Sequence, residues 1–376
     1  MEDVHLNVKV PLLDLKAQYQ RIRPEIDRAL AKVFENGMFT NGPFVRELEA
    51  TFAKYLNASY CRACANGTDA LELALEAMGI QRGDEVLVPA LTWISTASAV
   101  SRVGAKPVFV DIDPEYYTID PEDCKNKITP KTKAIIPVHL YGNPAPMKEL
   151  MQIARKHHLW VIEDAAQAHG ATYQGAKVGT IGDIGTFSFY PTKVLGTYGE
   201  GGAIVTSHAR VAKSIRIMLN QGQIEKNIHV MEGRNSRMGE MQAAMLQVKL
   251  PYLDTWIKES NRVARYYDEN IDKRFYQLPK RQAETTHVYH QYVIRTRKRE
   301  ALMSFLESKG IQTAVHYPIP LPFQPAYKHY GHFPEDFPVA TQLKNEILSL
   351  PVFPEMSEKQ VEWVVKQLAT FASQHP

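Results

Sequence analysis

Short apolar runs alternate with helical patterns through the first two thirds of the chain, and this alternation restricts the possible folds more than any other feature. Six runs have the length and composition of buried strands: residues 85–89, 106–111, 134–139, 159–164, 185–190 and 202–206. Strands that alternate with helices form a mostly parallel sheet whose faces are covered by those helices. The sequence therefore predicts an α/β fold built on a mostly parallel central sheet.

The spacing of apolar residues also predicts helices and a second, smaller domain. The helical patterns cover residues 16–36, 70–78, 147–157 and 252–271. A capping box formed by Ser357 and Gln360 starts a final amphipathic helix. After about Leu250 the residues Tyr, His and Pro become more frequent, and a chain of 376 residues is long enough for two domains. We predict a large α/β domain over residues 1–250 and a smaller α+β domain over residues 251–376.

The composition argues against several classes of protein. The net charge of +3 is spread along the chain, without the dense basic runs typical of nucleic-acid or anionic-membrane surfaces. No apolar run approaches the roughly 20 residues that a membrane span requires, and the first fifteen residues lack the order of a signal peptide. Three cysteines are too few, and of the wrong parity, for a disulfide framework. We expect a cytoplasmic protein with neither a nucleic-acid nor a membrane partner.

Two of the cysteines, Cys61 and Cys64, form a C-x-x-C pattern. A zinc site would need a second pair of Cys or His ligands at suitable spacing, and the sequence offers none. A redox site would need a thioredoxin-like context, which is also missing. We therefore interpret the two residues as small side chains of a buried strand, and we predict no metal site.

Two charged residues stand where an α/β sheet binds ligands. Asp164 ends an apolar strand, at the carboxyl edge where open α/β sheets bind their ligands. Lys193 follows another strand, in a polar loop that ends in Gly199-Glu-Gly-Gly202. Each has an ordinary interpretation, since Asp164 could cap a turn and Lys193 could be a solvated loop residue. If they lie together, a desolvated lysine acts as a nucleophile and base while the carboxylate pairs with a cation.

Three further features would complete a pyridoxal-phosphate site, which needs an amine, an anion for the pyridine nitrogen, a phosphate cradle and a stacking face. Gly67 and Thr68 precede a helix whose N-terminus could bind a phosphate, although the segment also fits a turn with an N-cap. Ser188, just before Lys193, could add a hydroxyl to that phosphate. Trp93 could stack on a ring, or it could be a core side chain.

The order of these features resembles the DegT/DnrJ/EryC1/StrS family of pyridoxal-phosphate-dependent nucleotide-sugar aminotransferases. Residues 163–170 (EDAAQAHG) and 187–193 (FSFYPTK) carry most of the resemblance. Further matching segments lie at residues 11–16, 66–71, 107–113, 137–142, 199–202, 235–238, 242–244 and 348–351. The resemblance implies the aspartate-aminotransferase fold, fold type I, with a large domain and a smaller C-terminal α+β domain.

The resemblance also implies a role for each site residue. Lys193 would hold the cofactor as a Schiff base, and Asp164 would pair with its pyridine nitrogen. The remaining cofactor contacts would come from Gly67, Thr68 and Ser188 on the phosphate, Trp93 on the ring face, Gln167 near the ring hydroxyl, and Asn235 of the neighbouring subunit on the phosphate. His316 and Tyr317 would lie near the sugar. The sharing of Asn235 implies a homodimer.

The resemblance is strongest to enzymes that aminate C3 of a dTDP- or UDP-linked 3-keto-sugar, here a 3-keto-6-deoxy-hexose, with L-glutamate as donor. A lysine at position 193 also separates transamination from a branch of the family in which His stands there and the reaction is a deoxygenation. A C4 sugar aminotransferase, a cyclitol aminotransferase and a non-catalytic pyridoxal-phosphate-binding regulator stay open as alternatives.

Overall fold

A seven-stranded sheet lies at the centre of the molecule, in a computed structural model that describes residues 9–375. The strands of this sheet and of three smaller sheets, in chain order, are β1 (Tyr60–Cys64), β2 (Glu85–Pro89), β3 (Lys106–Val110), β4 (Thr132–Ile135), β5 (Trp160–Asp164), β6 (Thr172–Tyr173), β7 (Ala176–Lys177), β8 (Ile184–Ser188), β9 (Gly202–Thr206), β10 (Gln223–Glu225), β11 (Ile228–His229), β12 (Thr285–Thr286), β13 (Tyr292–Arg295) and β14 (Ile347–Leu350). The sheet order is β1-β9-β8-β5-β4-β2-β3. β9 runs antiparallel to both of its neighbours, β1 and β8, whereas the other neighbouring strands of this sheet pair in parallel. The predicted α/β fold with a mostly parallel sheet is confirmed.

Helices cover both faces of this sheet and form much of the C-terminal part. They are α1 (Leu15–Asn36), α2 (Pro43–Leu56), α3 (Gly67–Ala77), α4 (Ser95–Arg102), α5 (Pro121–Lys127), α6 (Met147–His157), α7 (Ala209–Met218), α8 (Glu240–Lys249), α9 (Leu253–Asn270), α10 (Arg299–Ser308), α11 (Pro338–Glu346) and α12 (Glu358–Gln374). Short 3₁₀ turns lie at Leu140–Gly142, Leu250–Tyr252, Leu321–Phe323, Pro325–Tyr330 and Pro334–Asp336. The capping box predicted at Ser357 and Gln360 is present at the start of α12.

Most predicted elements are found within two residues of their expected bounds, and β4 is the main exception. The apolar run predicts a strand over residues 134–139, whereas the regular strand ends at Ile135. Pro137 has no N–H to donate, so the regular ladder cannot continue through it. Pro137 and His139 still pair with Asp164, whose N–H donates to the carbonyl of Pro137 and whose carbonyl accepts from the N–H of His139. The run is therefore extended beside β5, although not as a continuous strand.

The core has two layers, one on each face of the sheet, because successive strand residues point to opposite faces. In β2, for example, Val86 and Val88 pack on one side and Leu87 on the other. A third core joins α9, α10 and α12 to β13 and β14. The division between residues 1–250 and 251–376 stays a prediction. No helix in the described range is long and apolar enough to cross a membrane, and residues 1–8, on which part of the signal-peptide prediction rests, lie outside that range.

The C-x-x-C pattern lies in β1, as expected for small residues of a buried strand. Cys61 packs into one core layer and Cys64 into the other. The two thiols therefore lie on opposite faces of the sheet and cannot act together. Among residues 9–375, no group of three or more His, Cys, Asp or Glu side chains is placed to hold a metal ion.

One carboxylate ties the C-terminal part of the chain to the central sheet. Asp111, directly after β3, is buried and accepts hydrogen bonds from the N–H groups of Val339 and Ala340, both at 2.9 Å. These are first-turn amides of α11, which have no partner within the helix. Asp111 therefore caps a helix from a distant part of the sequence.

We expect Asp111→Ala to lower the free energy of unfolding by about 2 kcal/mol, because two amides at the start of α11 lose their acceptor. Urea unfolding followed by circular dichroism measures the change. Glu122→Ala is the control, since the Glu122 side chain is 75% exposed and its loss should cost less than about 0.5 kcal/mol. Equal effects from the two variants would contradict this account of Asp111.

Candidate active site

A cavity of about 930 Å³ opens at the carboxyl ends of β5 and β2. Nine of the ten site residues predicted from the sequence line it: Gly67, Thr68, Trp93, Asp164, Gln167, Ser188, Lys193, His316 and Tyr317. They come from five separate stretches of the chain. Its position agrees with the rule that open α/β sheets bind ligands at the carboxyl edge of their strands, and its size is typical of a small-molecule site.

Two adjacent carboxylates end β5, and the alternation of the strand sends them in opposite directions. Glu163 is fully buried beneath the sheet, where it accepts hydrogen bonds from the N–H groups of Gly179, Ile181 and Gly182 at 2.6–2.7 Å. It also bonds His139, with 2.9 Å between Glu163 Oε2 and His139 Nε2. All of its acceptor capacity is used in holding the fold together.

Asp164 instead points into the cavity. Its Oδ2 accepts a hydrogen bond from Thr96 Oγ1 at 2.9 Å, and its Oδ1 accepts from the N–H of Ala166 at 3.2 Å. Burial raises the pKa of Asp164, although these two hydrogen bonds and the nearby Lys193 act in the opposite direction. The turn interpretation of Asp164 is therefore partly right, since the residue supports a local turn while it faces the cavity.

Lys193 lies in the loop between β8 and β9, and its side chain is half-buried in the cavity wall. Burial lowers the pKa of its amine to about 8, while Asp164 partly opposes that fall. The uncharged amine, which can act as a nucleophile or base, is then a minor form near neutral pH but far more abundant than in an ordinary lysine. The interpretation of Lys193 as a solvated loop lysine is wrong.

The start of α3 forms a small cradle beside Lys193. Asn66 is the N-cap of this helix and accepts a hydrogen bond from the N–H of Asp69, which leaves the first-turn N–H groups of Gly67 and Thr68 directed toward the cavity edge. A Cβ at position 67 would lie 2.6 Å from the Cβ of Ser188, so the close approach of these two segments requires glycine. The hydroxyls of Thr68 and Ser95 are 2.7 Å apart. Two amides, three hydroxyls and a helix N-terminus suit a phosphate.

Aromatic and amide side chains form the opposite wall. Trp93 is 56% exposed, so its alternative interpretation as a core residue is wrong, and its ring centroid lies 5.7 Å from that of Tyr317. Gln167 is buried, accepts from the N–H of Tyr141 at 2.7 Å and donates to the hydroxyl of Tyr317 at 3.1 Å. Its amide orientation is therefore determined by its neighbours.

His316 lies on the same wall as Tyr317. Its Nδ1 is 2.8 Å from the hydroxyl of Ser349, and burial lowers its pKa to about 4, with a smaller contribution from Lys193. The imidazole is therefore neutral at physiological pH. A neutral imidazole and a phenol beside the cavity can bind hydroxyl groups of a polar ligand.

Asn235 is the one predicted site residue outside this cavity. It is exposed, and its Oδ1 accepts a hydrogen bond from Arg237 at 3.0 Å. The assignment of Asn235 to the site of a neighbouring subunit stays a prediction.

Several residues in or behind the cavity wall were missed by the sequence analysis. Thr96 and Ser95 bond Asp164 and Thr68 and belong to the hydroxyl-rich segment that follows Trp93, so this segment was a signal that could have found them. His290 also lines the cavity, and burial lowers its pKa well below the ordinary value. It is distant in sequence from the β8–β9 loop, so only the fold brings it there.

Comparison with known proteins assigns the chain to a family. A sequence model of the DegT/DnrJ/EryC1/StrS aminotransferase family matches residues 20–369. The chain belongs to this family.

Relatives of known name and structure agree with this membership. The chain is 46% identical to a pleiotropic regulatory protein of Geobacillus stearothermophilus, with 97% of this chain and 99% of the relative covered. It is 44% identical to the dTDP-3-amino-3,6-dideoxy-alpha-D-galactopyranose transaminase of Aneurinibacillus thermoaerophilus, with 95% and 98% covered. Among solved structures, DesV of S. venezuelae in complex with a ketimine intermediate superposes with a TM-score of 0.95 at 40% identity, with 97% and 98% covered. The predicted family, fold type I and classification as an aminotransferase are confirmed.

The amine of Lys193 should react faster as the pH rises through about 8, because only its neutral form attacks an electrophile. Pulse acetylation of the full chain, read for Lys193 by peptide mass spectrometry, measures the profile. Asp164→Asn should move this profile to lower pH, because the carboxylate that favours the charged amine is removed. The exposed Lys258 provides the comparison in the same spectra, and a profile of Lys193 that Asp164→Asn leaves in place would contradict the coupling.

Proposed function

We propose that this chain is a pyridoxal-phosphate-dependent aminotransferase that moves an amino group from L-glutamate to a dTDP- or UDP-linked keto-sugar. The acceptor position is C3 of a 3-keto-6-deoxy-hexose. The observation that carries the proposal is the placement of Lys193 and Asp164 in one cavity beside an anion-binding helix N-terminus. The similarity to a transaminase named for a dTDP-linked 3-amino-3,6-dideoxy sugar supports this choice of acceptor.

The residues present fit the cofactor. Asp164 is buried and keeps oxygens facing the cavity, so it would pair with the pyridine nitrogen. The cradle of Gly67, Thr68 and Ser188, in which a Cβ at position 67 has no room, would bind the phosphate. Trp93 would cover the ring face, and the amide of Gln167 would lie near the ring hydroxyl.

Lys193 would carry the proton transfers. Pyridoxal phosphate, when bound, supplies a ring that accepts the electrons released when the donor's Cα–H bond breaks. Lys193 Nζ would hold the cofactor and, once free of it, would take the proton from the donor's α-carbon as a general base. The same nitrogen would return the proton as a general acid. Asp164 would favour a protonated ring nitrogen by placing a negative charge beside it.

The sugar would lie against the wall formed by Trp93, His316 and Tyr317. Because His316 is neutral, it can donate or accept a hydrogen bond with a sugar hydroxyl without adding charge. Tyr317 is oriented by Gln167, so the cofactor and sugar walls are connected by one hydrogen bond. We assign His316 and Tyr317 to substrate binding on this basis.

The proposal includes a homodimer in which Asn235 reaches the phosphate in the partner's site. Asn235 follows the β10–β11 hairpin, and four apolar side chains in the hairpin and directly after it are exposed: Ile224 48%, Ile228 48%, Val230 56% and Met231 41%. A contiguous exposed apolar surface is typical of protein–protein contacts. The exposure of Asn235 itself also suits a residue that acts outside its own chain.

Removal of the Lys193 amine and removal of the Asp164 charge should reduce turnover in different ways. Lys193→Ala should remove the absorbance of the lysine-bound cofactor and reduce turnover by about 10³-fold or more, because both attachment and proton transfer depend on this amine. Asp164→Asn should slow proton transfer by about 10²-fold or more while some cofactor stays bound. Release of 2-oxoglutarate from glutamate measures both effects.

Lys258→Ala is the matched control, since Lys258 is exposed and does not line the cavity. A Lys193→Ala protein that completes many turnovers would exclude the assignment of the catalytic lysine. An unchanged rate in Asp164→Asn would mean that another group serves the ring nitrogen.

A substrate panel separates the alternatives. The panel contains dTDP- and UDP-linked 3-keto and 4-keto sugars and a keto-cyclitol, each with glutamate. We expect amination of a 3-keto nucleotide-sugar. Preference for a 4-keto sugar or a cyclitol would replace the acceptor in this proposal. A regulator would bind pyridoxal phosphate and release no 2-oxoglutarate with any of them.

Sharing of the site between subunits predicts complementation. Lys193→Ala and Asn235→Ala chains, each with low activity, should regain activity when mixed and reassociated, because one site of each mixed dimer then has both residues intact. Size-exclusion chromatography with light scattering checks that dimers form. If Asn235 served its own chain, every site in the mixture would lack one residue and activity would not return.

A further inference from the structure

We propose that Lys249 is a positioning residue whose buried ammonium group holds the loop that carries Lys193 against α1 and α8. We call residues 190–201 the active-site loop. The contact itself is independent of the enzyme's reaction, whereas its consequence for catalysis rests on the proposed function.

Lys249 is the last residue of α8 and is completely buried. Its Nζ donates to the carbonyl oxygen of Gly196 at 2.7 Å and to Gln18 Oε1 of α1 at 2.8 Å. The same nitrogen lies 3.6 Å from the centre of the Tyr198 ring. Two of these three contacts are to the active-site loop, and the cation–π geometry is close.

Gly196 transmits this contact to the turn that precedes Lys193. A Cβ on Gly196 would lie 2.5 Å from the carbonyl oxygens of both Tyr190 and Pro191, so the two halves of the loop pack backbone against backbone. The N–H of Lys193 donates to that same Tyr190 carbonyl at 2.9 Å. A displacement of Gly196 would therefore displace the turn from which the Lys193 side chain leaves.

The chemistry of the contact indicates more than packing. A buried ammonium group is expensive to desolvate, and apolar residues of similar volume are often as stable in its place. Here its donors go to a carbonyl of the active-site loop and to an amide of α1, with an aromatic face as the third contact. An aliphatic side chain could fill the volume, but it could not hold the Gly196 carbonyl in position.

The charge on Lys249 should change within the physiological range. Burial lowers the pKa of its amine to about 7, and Glu355 opposes that fall. Above this pH the amine is neutral, so the cation–π contact is lost and the hydrogen bonds weaken. Glu355, in the segment before α12, is the charged group that acts on Lys249, and Tyr198 of the loop is the titratable group in contact with it. Behind these two, Arg21 of α1 bonds Glu355 and Glu259 of α9, and Tyr19 of α1 packs on the Tyr198 ring.

Hydrogen exchange of the full chain tests the contact without any reaction. In Lys249→Met we expect amides of residues 190–201 to exchange about tenfold faster at pH 6, because a charge-assisted tether is lost. After correction for the intrinsic rise of exchange with pH, the wild-type loop should loosen between pH 6 and 8, and the loop of Lys249→Met should not. Lys258→Met, at an exposed lysine, is the control.

A second measurement asks whether the tether matters to Lys193. The rate at which the full chain without cofactor captures added pyridoxal phosphate, followed by absorbance, should fall about tenfold in Lys249→Met at pH 6.5 and stay unchanged in Lys258→Met. A purely structural effect would lower the melting temperature and leave the relative exchange of the loop and the capture rate unchanged. That result would overturn the proposal.

If Lys249→Met does not fold, Tyr198→Leu replaces it, because it keeps the lysine and removes the ring beneath its charge. Faster exchange of residues 190–201 in this variant supports the proposal, and wild-type exchange overturns it. A wild-type chain that shows the expected loop exchange but releases no 2-oxoglutarate would contradict the proposed function alone, so the two failures are distinguishable.

Discussion

The amine of Lys193 and the carboxylate of Asp164 share one cavity, and the free-energy cost of burying both charges determines how the site around them is built. Burial disfavours the charged form of each group, raising the pKa of Asp164 and lowering that of Lys193 to about 8. Each charge stabilises the charged form of the other group, so neither pKa shifts as far as burial alone would move it. The Asp164 carboxylate is further stabilised by Thr96 and Ala166. The carboxylate is therefore firmly held, while the lysine remains close to its point of titration.

The two adjacent carboxylates at the end of β5 differ in their surroundings: Glu163 stabilises the fold, and Asp164 lines the cavity. Glu163 is directed below the sheet, where backbone amides and His139 satisfy it completely. The N–H of Ala145 donates to His139 Nδ1, so the ring proton lies on Nε2 and is donated to Glu163. This buried network fixes the strand end, and the pleat then turns Asp164 into the cavity. Rigid support of one carboxylate determines where the other is placed.

Much of the fold was predictable because its strands are short, apolar and separated by helical spacing. β2 and β9 have the predicted bounds, yet nothing in the apolar run of β9 indicates its antiparallel direction, since burial on both faces gives the same pattern either way. The positions of Lys193 and Asp164 came from motif order. Thr96 could have been found from the hydroxyl-rich segment that follows Trp93, whereas His290 was missed because its place in the cavity depends on a contact between distant segments, which periodicity cannot report.

The active-site loop contains one lysine and is held by another, and their partners differ in a way that suits separate tasks. Lys249 Nζ has two acceptors and an aromatic face, all at close range, so its position is strongly determined. In the described part of the chain, Lys193 Nζ makes no hydrogen bond to a protein group, and its interaction with Asp164 is the electrostatic attraction between the two charges. The role that we propose for Lys193, in which its amine binds the cofactor, leaves it and carries a proton, needs such freedom at its tip. That freedom is useful only if the backbone beneath it stays in place, and the Lys249 contact with Gly196 is suited to supply this.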